Sequence, residues 1–249
     1  MNNNTIVAPP LITIITVVYN GGRYLEQTIQ SVLALSYPSL NYIVIDGGST
    51  DDTIEIIKQH SDRIAYWTSE KDRGIYDAMN KGWAAAKEGF ILFLGAGDRI
   101  VSLPKNMERF TETDVICGNV QVGEDRLFRS RPGFLMRFFN QLHHQALLVR
   151  KQTHPEVPFD LQFRTYADFD FNQRLYKQGV RFAYADDLVG YALPGGFSSR
   201  FAVRESFRVV RKNYGLLHGL VFLLLYAGSK MLNPLFPSKP FSAMKTTRS

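Results

Sequence analysis

The chain carries one cysteine, Cys117, in 249 residues. A lone cysteine excludes an intramolecular disulfide and any multi-cysteine metal site, fits a reducing compartment, and reads as a small buried hydrophobe. Between Met1 and Pro10 there is no basic segment followed by an apolar one, so no secretory signal is expected and the protein should stay in the cytoplasm. No internal repeat or low-complexity segment appears. Also missing is a run long enough to span a bilayer: Leu216 to Gly228 holds one histidine and no formal charge, but at about 1.5 Å per residue it falls short of a hydrocarbon core of about 30 Å. A Gly-rich, basic phosphate loop is absent after the first apolar segment, where Tyr19-Asn20-Gly21-Gly22-Arg23 is too sparse. That argues against a nucleotidyltransferase.

What is present suffices for a sizeable core, since 45% of the residues are hydrophobic and 21% charged. The net charge of +6 is not read as a nucleic-acid footprint. Its excess lies late, in Arg200, Arg204, Arg208, Arg211 and Lys212, beside the apolar stretch. Such an arrangement suits an anionic membrane surface on which a basic, apolar helix lies. The other reading is a helix docked on the body of the protein or on a second subunit.

The first half alternates short β-rich runs with amphipathic ones, as expected of a parallel sheet covered by helices. Leu11 to Val18 reads as a central strand buried on both faces. The helix after it carries Leu25, Ile29, Val32 and Leu33 on one side. Strands are expected at Tyr42 to Ile45, Ile64 to Thr68 and Phe90 to Leu94, and helices at Thr50 to His60 and Tyr76 to Lys87. Beyond Val101 the alternation breaks down. Val115 to Val122 and Ala146 to Arg150 look like strands, Phe169 to Gln178 like a helix, and His143 to Phe163, with Pro155 and Pro158, like a long loop.

Ligands of an open parallel sheet sit outside the carboxyl ends of its strands. Asp46 and Asp98 each directly follow an apolar strand and so share that edge. In Asp46-Gly47-Gly48-Ser49-Thr50-Asp51-Asp52-Thr53 a carboxylate, two glycines and an N-capping Ser or Thr come in the order of a tight strand-to-helix turn. Asp46 either stabilises that turn or meets a ligand. Asp98, flanked by Gly95-Ala96-Gly97, either serves its turn or holds a hard divalent cation. Asp168 is placed just before a helix and Asp170 in its first turn, so Asp168 either caps the helix or acts as a general base. His143 and His144, on an extended segment, point to opposite faces, so at most one faces the site; His144 is either that one, in metal or acceptor contact, or a structural histidine.

Four blocks, Ile14 to Asn20, Val44 to Thr53, Ser69 to Gly82 and Phe93 to Asp98, resemble in order and spacing those of glycosyltransferase family 2. Further matches run to about Ser199, among them Gly195-Gly196-Phe197-Ser198 at the mouth of the site, and the His143 block is similar to bacterial polysaccharide-assembly members, colanic-acid-type enzymes among them. The resemblance implies an α/β GT-A fold, a mostly parallel sheet flanked by helices with a helical tail. It implies a catalytic domain over 1–200, with a donor half at about 10–100 and an acceptor half at about 101–200, and a basic, apolar tail over 201–249. It further implies an inverting, hexosyltransferase-type transfer from a nucleotide-diphosphate sugar to a glycan or a lipid-linked oligosaccharide in cell-surface polysaccharide (exopolysaccharide) biosynthesis, at the cytoplasmic face of the membrane. Val17, Tyr19, Asp46, Gly47 and Arg73 would line the nucleotide pocket, Asp98 would hold Mg²⁺ or Mn²⁺, and Asp168 would be the base. Where relatives carry several acids in the metal motif this chain has Gly95 and Gly97, and Ala167 stands where a Glu usually precedes the base. Those departures leave a second reading, a catalytically impaired nucleotide-sugar-binding module of the same fold.

Overall fold

A computed structural model of the protein describes residues 9–124, 126–154, 157–195 and 202–232. Pro155, Gly196, Phe197, Ser198 and Arg200, invoked above, lie outside the described residues.

The first half alternates as expected. Strand β1 (Ile12–Val18) leads into helix α1 (Gly22–Leu33), β2 (Leu40–Asp46) into α2 (Thr53–Gln59), β3 (Tyr66–Ser69) into α3 (Ile75–Ala85), and β4 (Phe90–Gly95) follows. These four strands lie in the order β3-β2-β1-β4 and are parallel to one another. β1 is buried at every residue because helices cover both faces. Its side chains alternate between two cores. Ile12 and Ile14 join Tyr42, Val44 and Leu92 under α1, while Ile15 and Val17 join Ile43, Ile45 and Phe93 under α3. Gly82 on α3 makes the second contact close: a Cβ there would meet Ile15 at 2.4 Å.

The second half extends the same sheet with strands of both directions. β5 (Arg99–Ser102), β6 (Val115–Val122), β7 (Arg126–Arg129), β8 (Leu147–Arg150) and β9 (Phe182–Ala192) continue the order as β4-β8-β6-β9-β5, with β7 on β6. β8 runs antiparallel to β4 and β6, β9 parallel to β6, and β5 antiparallel to β9. Three of these, β5, β7 and β9, were not expected from the sequence. In β9 the reason is visible. Asp186-Asp187 interrupts the apolar run, yet Asp187 is taken up by the segment after β5, accepting from Arg109 at 2.7 Å and from the Lys105 N–H at 3.0 Å, and the pairing with β6 shifts register where the acids sit.

Helix α4 (Ala167–Lys177) packs with α5 (Val203–Tyr214) and α6 (Leu216–Leu232) on the α3 face of the sheet. Val209, Val210 and Phe222, from the segment expected as a tail, are fully buried in that core. Lys212 is a correction. Counted above with the membrane-facing cations, it instead donates to the fully buried Asp170 at 2.9 Å and to Asp160 at 2.8 Å, and Asn213 donates to Asp170 at 3.0 Å. Asp170 also accepts from Arg174 at 2.9 Å, so its buried charge is fully paired.

Candidate active site

The carboxyl ends of β1 and β4, the start of α3 and the start of α4 enclose a cavity of about 790 Å³, the size of a small-molecule site. Val17, Tyr19, Arg73, Asp98, His144 and Asp168 all line it. Asp46 and Gly47 do not. They lie one layer behind the wall, and the physical reason is that the Asp46 carboxylate is already used. Fully buried, it accepts the N–H groups of Gly48 (3.1 Å) and Ser49 (2.9 Å) and the hydroxyls of Ser69 (2.6 Å) and Ser49. Ser49 in turn accepts the Asn20 N–H at 2.7 Å, and the Asn20 side chain accepts from Thr50 N–H at 2.8 Å. Asn20 is held at φ 48°, a left-handed conformation that asparagine tolerates. Asp46 therefore fixes the cavity wall at Tyr19 and Asn20 through Ser49. The following turn departs from the Ser/Thr cap expected of it, because Asp51 accepts the N–H and hydroxyl of Thr53 and the N–H of Gly22.

Asp72 also lines the cavity. Gly47 makes room for it: a Cβ at 47 would meet the Asp72 carboxylate at 2.4 Å. Arg73 pairs instead with Asp77, at 2.8 Å. Its guanidinium remains largely exposed at the rim.

Asp98 is buried, and its carboxylate accepts N–H groups from Gly95 (3.0 Å), Leu193 (3.1 Å) and the Gln145 side chain (3.0 Å). His144 lies beside it, Nε2 3.7 Å from the carboxylate. Burial pulls the His144 imidazole down, but the negatively charged Asp98 beside it, with Asp168 beyond, outweighs this and raises it above its ordinary value. His143 turns the other way, stacking 4.1 Å from Phe128, and burial pushes it down to about 4. The chain is extended only at His143; residues His144–Ala146 form a 3₁₀ turn, which aims His144 and Gln145 into the cavity.

No cluster of three or more His, Cys, Asp or Glu side chains suited to a metal occurs among the described residues. Asp98 and His144 together nevertheless fit a cation whose shell is completed by phosphate and water oxygens. The buried Gln145 adds an amide oxygen, Oε1, that has no partner.

Asp168 lies within the first turn of α4 rather than before it. It accepts the Tyr76 hydroxyl at 3.0 Å, the Asn140 amide at 3.3 Å and its neighbour's Phe169 N–H at 2.8 Å. Burial raises its carboxyl above the usual range, against the pull of His144 and these donors. Tyr76 has one proton and two acceptors, Asp168 and the Thr165 carbonyl at 2.7 Å. When Asp168 takes up a proton it can donate to Tyr76 while Tyr76 donates to Thr165, so both states of the carboxyl are accommodated. Behind the loop stands Glu205 of α5, whose carboxylate accepts the N–H groups of Arg164 and, at 3.0 Å, Thr165. Tyr76, Asn140, Gln145 and Glu205 were not singled out in the sequence. Each sits far along the chain from the group it serves, and only Tyr76 and Gln145 fall inside recognisable blocks.

The family model of Glycosyl transferase family 2 matches residues 13–175. A PGL/p-HBAD biosynthesis glycosyltransferase of Mycobacterium tuberculosis is 25% identical over 242 residues, covering 91% of this chain and 94% of that protein. An uncharacterized glycosyltransferase of the same species is 33% identical over 177 residues, covering 65% and 67%. Among solved structures, Staphylococcus aureus TarS 1-349 aligns with a TM-score of 0.63 at 16% identity, covering 92% of this chain and 75% of that one; it is also known in complex with UDP-GlcNAc. A mannosyltransferase from Pyrobaculum calidifontis, in complex with GDP-Man and Mn²⁺, aligns at 0.59 and 16% identity, covering 93% and 79%.

Proposed function

Because the chain belongs to glycosyl transferase family 2 and is thus a nucleotide-sugar transferase, we propose that it is an inverting, hexosyltransferase-type enzyme using the cavity between Asp98 and Asp168. The observation that carries the reading is the placement of two unlike acids on the walls of one 790 Å³ cavity. Asp98 is fixed by three N–H donors beside His144, whereas Asp168 has a raised carboxyl and a hydroxyl partner able to follow its protonation. The first suits the leaving diphosphate and the second the incoming hydroxyl.

In this mechanism the nucleotide lies between Tyr19, Arg73 and Asp72, with the Tyr19 ring, exposed at the cavity mouth, as its apolar platform. Asp98 and His144 would hold Mg²⁺ or Mn²⁺, which supplies charge neutralisation for the departing diphosphate. Asp168 takes the proton of the acceptor hydroxyl as that oxygen bonds to the anomeric carbon. The carbon–oxygen bond to the nucleotide diphosphate breaks on the opposite face, inverting the configuration. Tyr76 and Asn140 hold the protonated carboxyl in place. The acceptor proposed is a glycan or lipid-linked oligosaccharide of cell-surface polysaccharide biosynthesis, met at the cytoplasmic membrane face, with residues 1–200 carrying the reacting groups and 201–249, whose Glu205 also braces the loop before the base, attaching the protein there.

The test is nucleotide release from UDP- and GDP-sugars with Mg²⁺ or Mn²⁺, in the wild type and in Asp168→Asn. Release should fall by about 10²–10⁴-fold in the variant. Equal release from both would remove Asp168 from the chemistry.

A further inference from the structure

Helix α6 has two unlike sides. Phe222 and Gly219 are buried against the protein, the first beside Phe139 and the second against the Phe207 ring. On the other side Leu216, Leu217, Leu220, Leu223 and Leu224 are exposed, Leu217 and Leu224 by more than 70%. At about 100° per residue these five fall within an arc of about 120°, a continuous leucine stripe that none of the described residues covers. A second segment extends it. Phe134 and Leu135, at the start of the 3₁₀ turn Phe134–Arg137, are both more than half exposed. The residues that follow clamp this turn to α6, with Phe138 stacked 5.8 Å from His218 and Phe139 5.8 Å from Phe222.

Charge decides what such a face meets. Residues 131–140 and 202–232 hold a single acid, Glu205, whose carboxylate is taken by backbone N–H groups. Arg131, Arg204, Arg208 and Arg211 of the same segments are exposed, and the Arg137 guanidinium lies 5.0 Å over the Phe134 ring. An apolar stripe on segments whose exposed charges are cationic fits an anionic bilayer surface. A second copy of the chain would instead bring like charges together across the contact.

Resting on the transferase reading above, we infer that α6 and the 134–137 turn form a docking face for an anionic phospholipid surface, with α6 lying flat on it. No helix among the described residues is long and apolar enough to cross a membrane, in keeping with a surface-lying element. The face is continuous with the site, since Asn140, just beyond the turn, donates to Asp168. An acceptor carried on a lipid therefore reaches the cavity from the side of the base.

The experiment is co-sedimentation of the full chain with phosphatidylcholine vesicles, with and without phosphatidylglycerol. Pelleting is expected with the anionic vesicles, falling as salt rises, and reduced at least tenfold in Leu220→Glu/Leu224→Glu. That variant should keep the wild-type thermal shift with UDP or GDP, which shows that it folds. Failure of the wild type to bind either vesicle would overturn the inference, as would a soluble dimer, lost in the double variant, that binds no lipid. Vesicle binding without any nucleotide release would uphold the docking face while refuting the transferase reading.

Discussion

Asp46→Asn separates a carboxylate that shapes the nucleotide site from one that touches the nucleotide. Asp46 is fully buried and serves four donors, two backbone N–H groups and two hydroxyls. An asparagine can keep its carbonyl towards Gly48, Ser49 and Ser69, but its NH₂ then faces the Ser49 hydroxyl, which already accepts from Asn20. The bonds lose their charge assistance, and one buried donor, the amide N–H or the Ser49 hydroxyl that Asp46 accepted, is left without an acceptor. An unsatisfied buried donor alone costs about 1–3 kcal/mol, and weakening of the charged bonds adds roughly another 1 kcal/mol. A loss of about 2–4 kcal/mol corresponds, for a chain of this size, to a fall in Tm of about 5–15 °C. Urea unfolding followed by circular dichroism measures the first figure and a thermal melt the second. Nucleotide affinity should weaken only as far as the Tyr19–Asn20 wall loosens, and should recover in part when cooling or osmolyte restores the fold. A variant as stable as the wild type that has lost nucleotide binding would refute this and put Asp46 in direct contact with the ligand.

Three further outcomes are expected. The Asp168 carboxyl is raised by burial, so its ionisation opposes folding; the penalty is absent below the unfolded value near pH 4 and grows as pH rises through the folded one. Transfer should accordingly rise with pH through an acid limb above the ordinary carboxylate range. Asp168→Asn should be inactive yet at least as stable as wild type at pH 7, the gap closing at pH 3–4; a variant clearly less stable at neutral pH would contradict the shift. Glu205→Ala frees the backbone at Arg164 and Thr165 and should lower kcat roughly 10–100-fold with donor KM unchanged, whereas a donor KM effect alone would disprove a positioning role. If Asp98 and His144 share a cation with the donor, the thermal shift given by UDP or GDP should need Mn²⁺ or Mg²⁺ and vanish with EDTA or Asp98→Ala, and a shift indifferent to both would remove the metal.

The strands and helices of the first half were legible because each is a local statement. β1 is apolar throughout, α1 repeats its apolar residues at helical spacing, and glycine marks the turns between. β5 and β9 were not legible. Arg99-Ile-Val-Ser is too short to carry a period, and β9 contains two acids whose place only the register shift against β6 and the partners after β5 explain.

From the sequence alone follow the α/β alternation, the placing of Asp46 and Asp98 at one sheet edge and Asp168 at a helix start, and the resemblance to a family, since strand ends, turns and helix starts are set by neighbours along the chain. Tertiary structure alone decided which of these acids line the cavity. Asp46 is saturated by donors from its own turn and from Ser69, 23 residues on. Asp98 meets Gln145 and Leu193, 47 and 95 residues away. Asp168 is tuned by Tyr76, 92 residues before it. Hydrogen-bond partners and burial fix whether a carboxylate is free, paired or raised, and those are brought together only when the sheet closes.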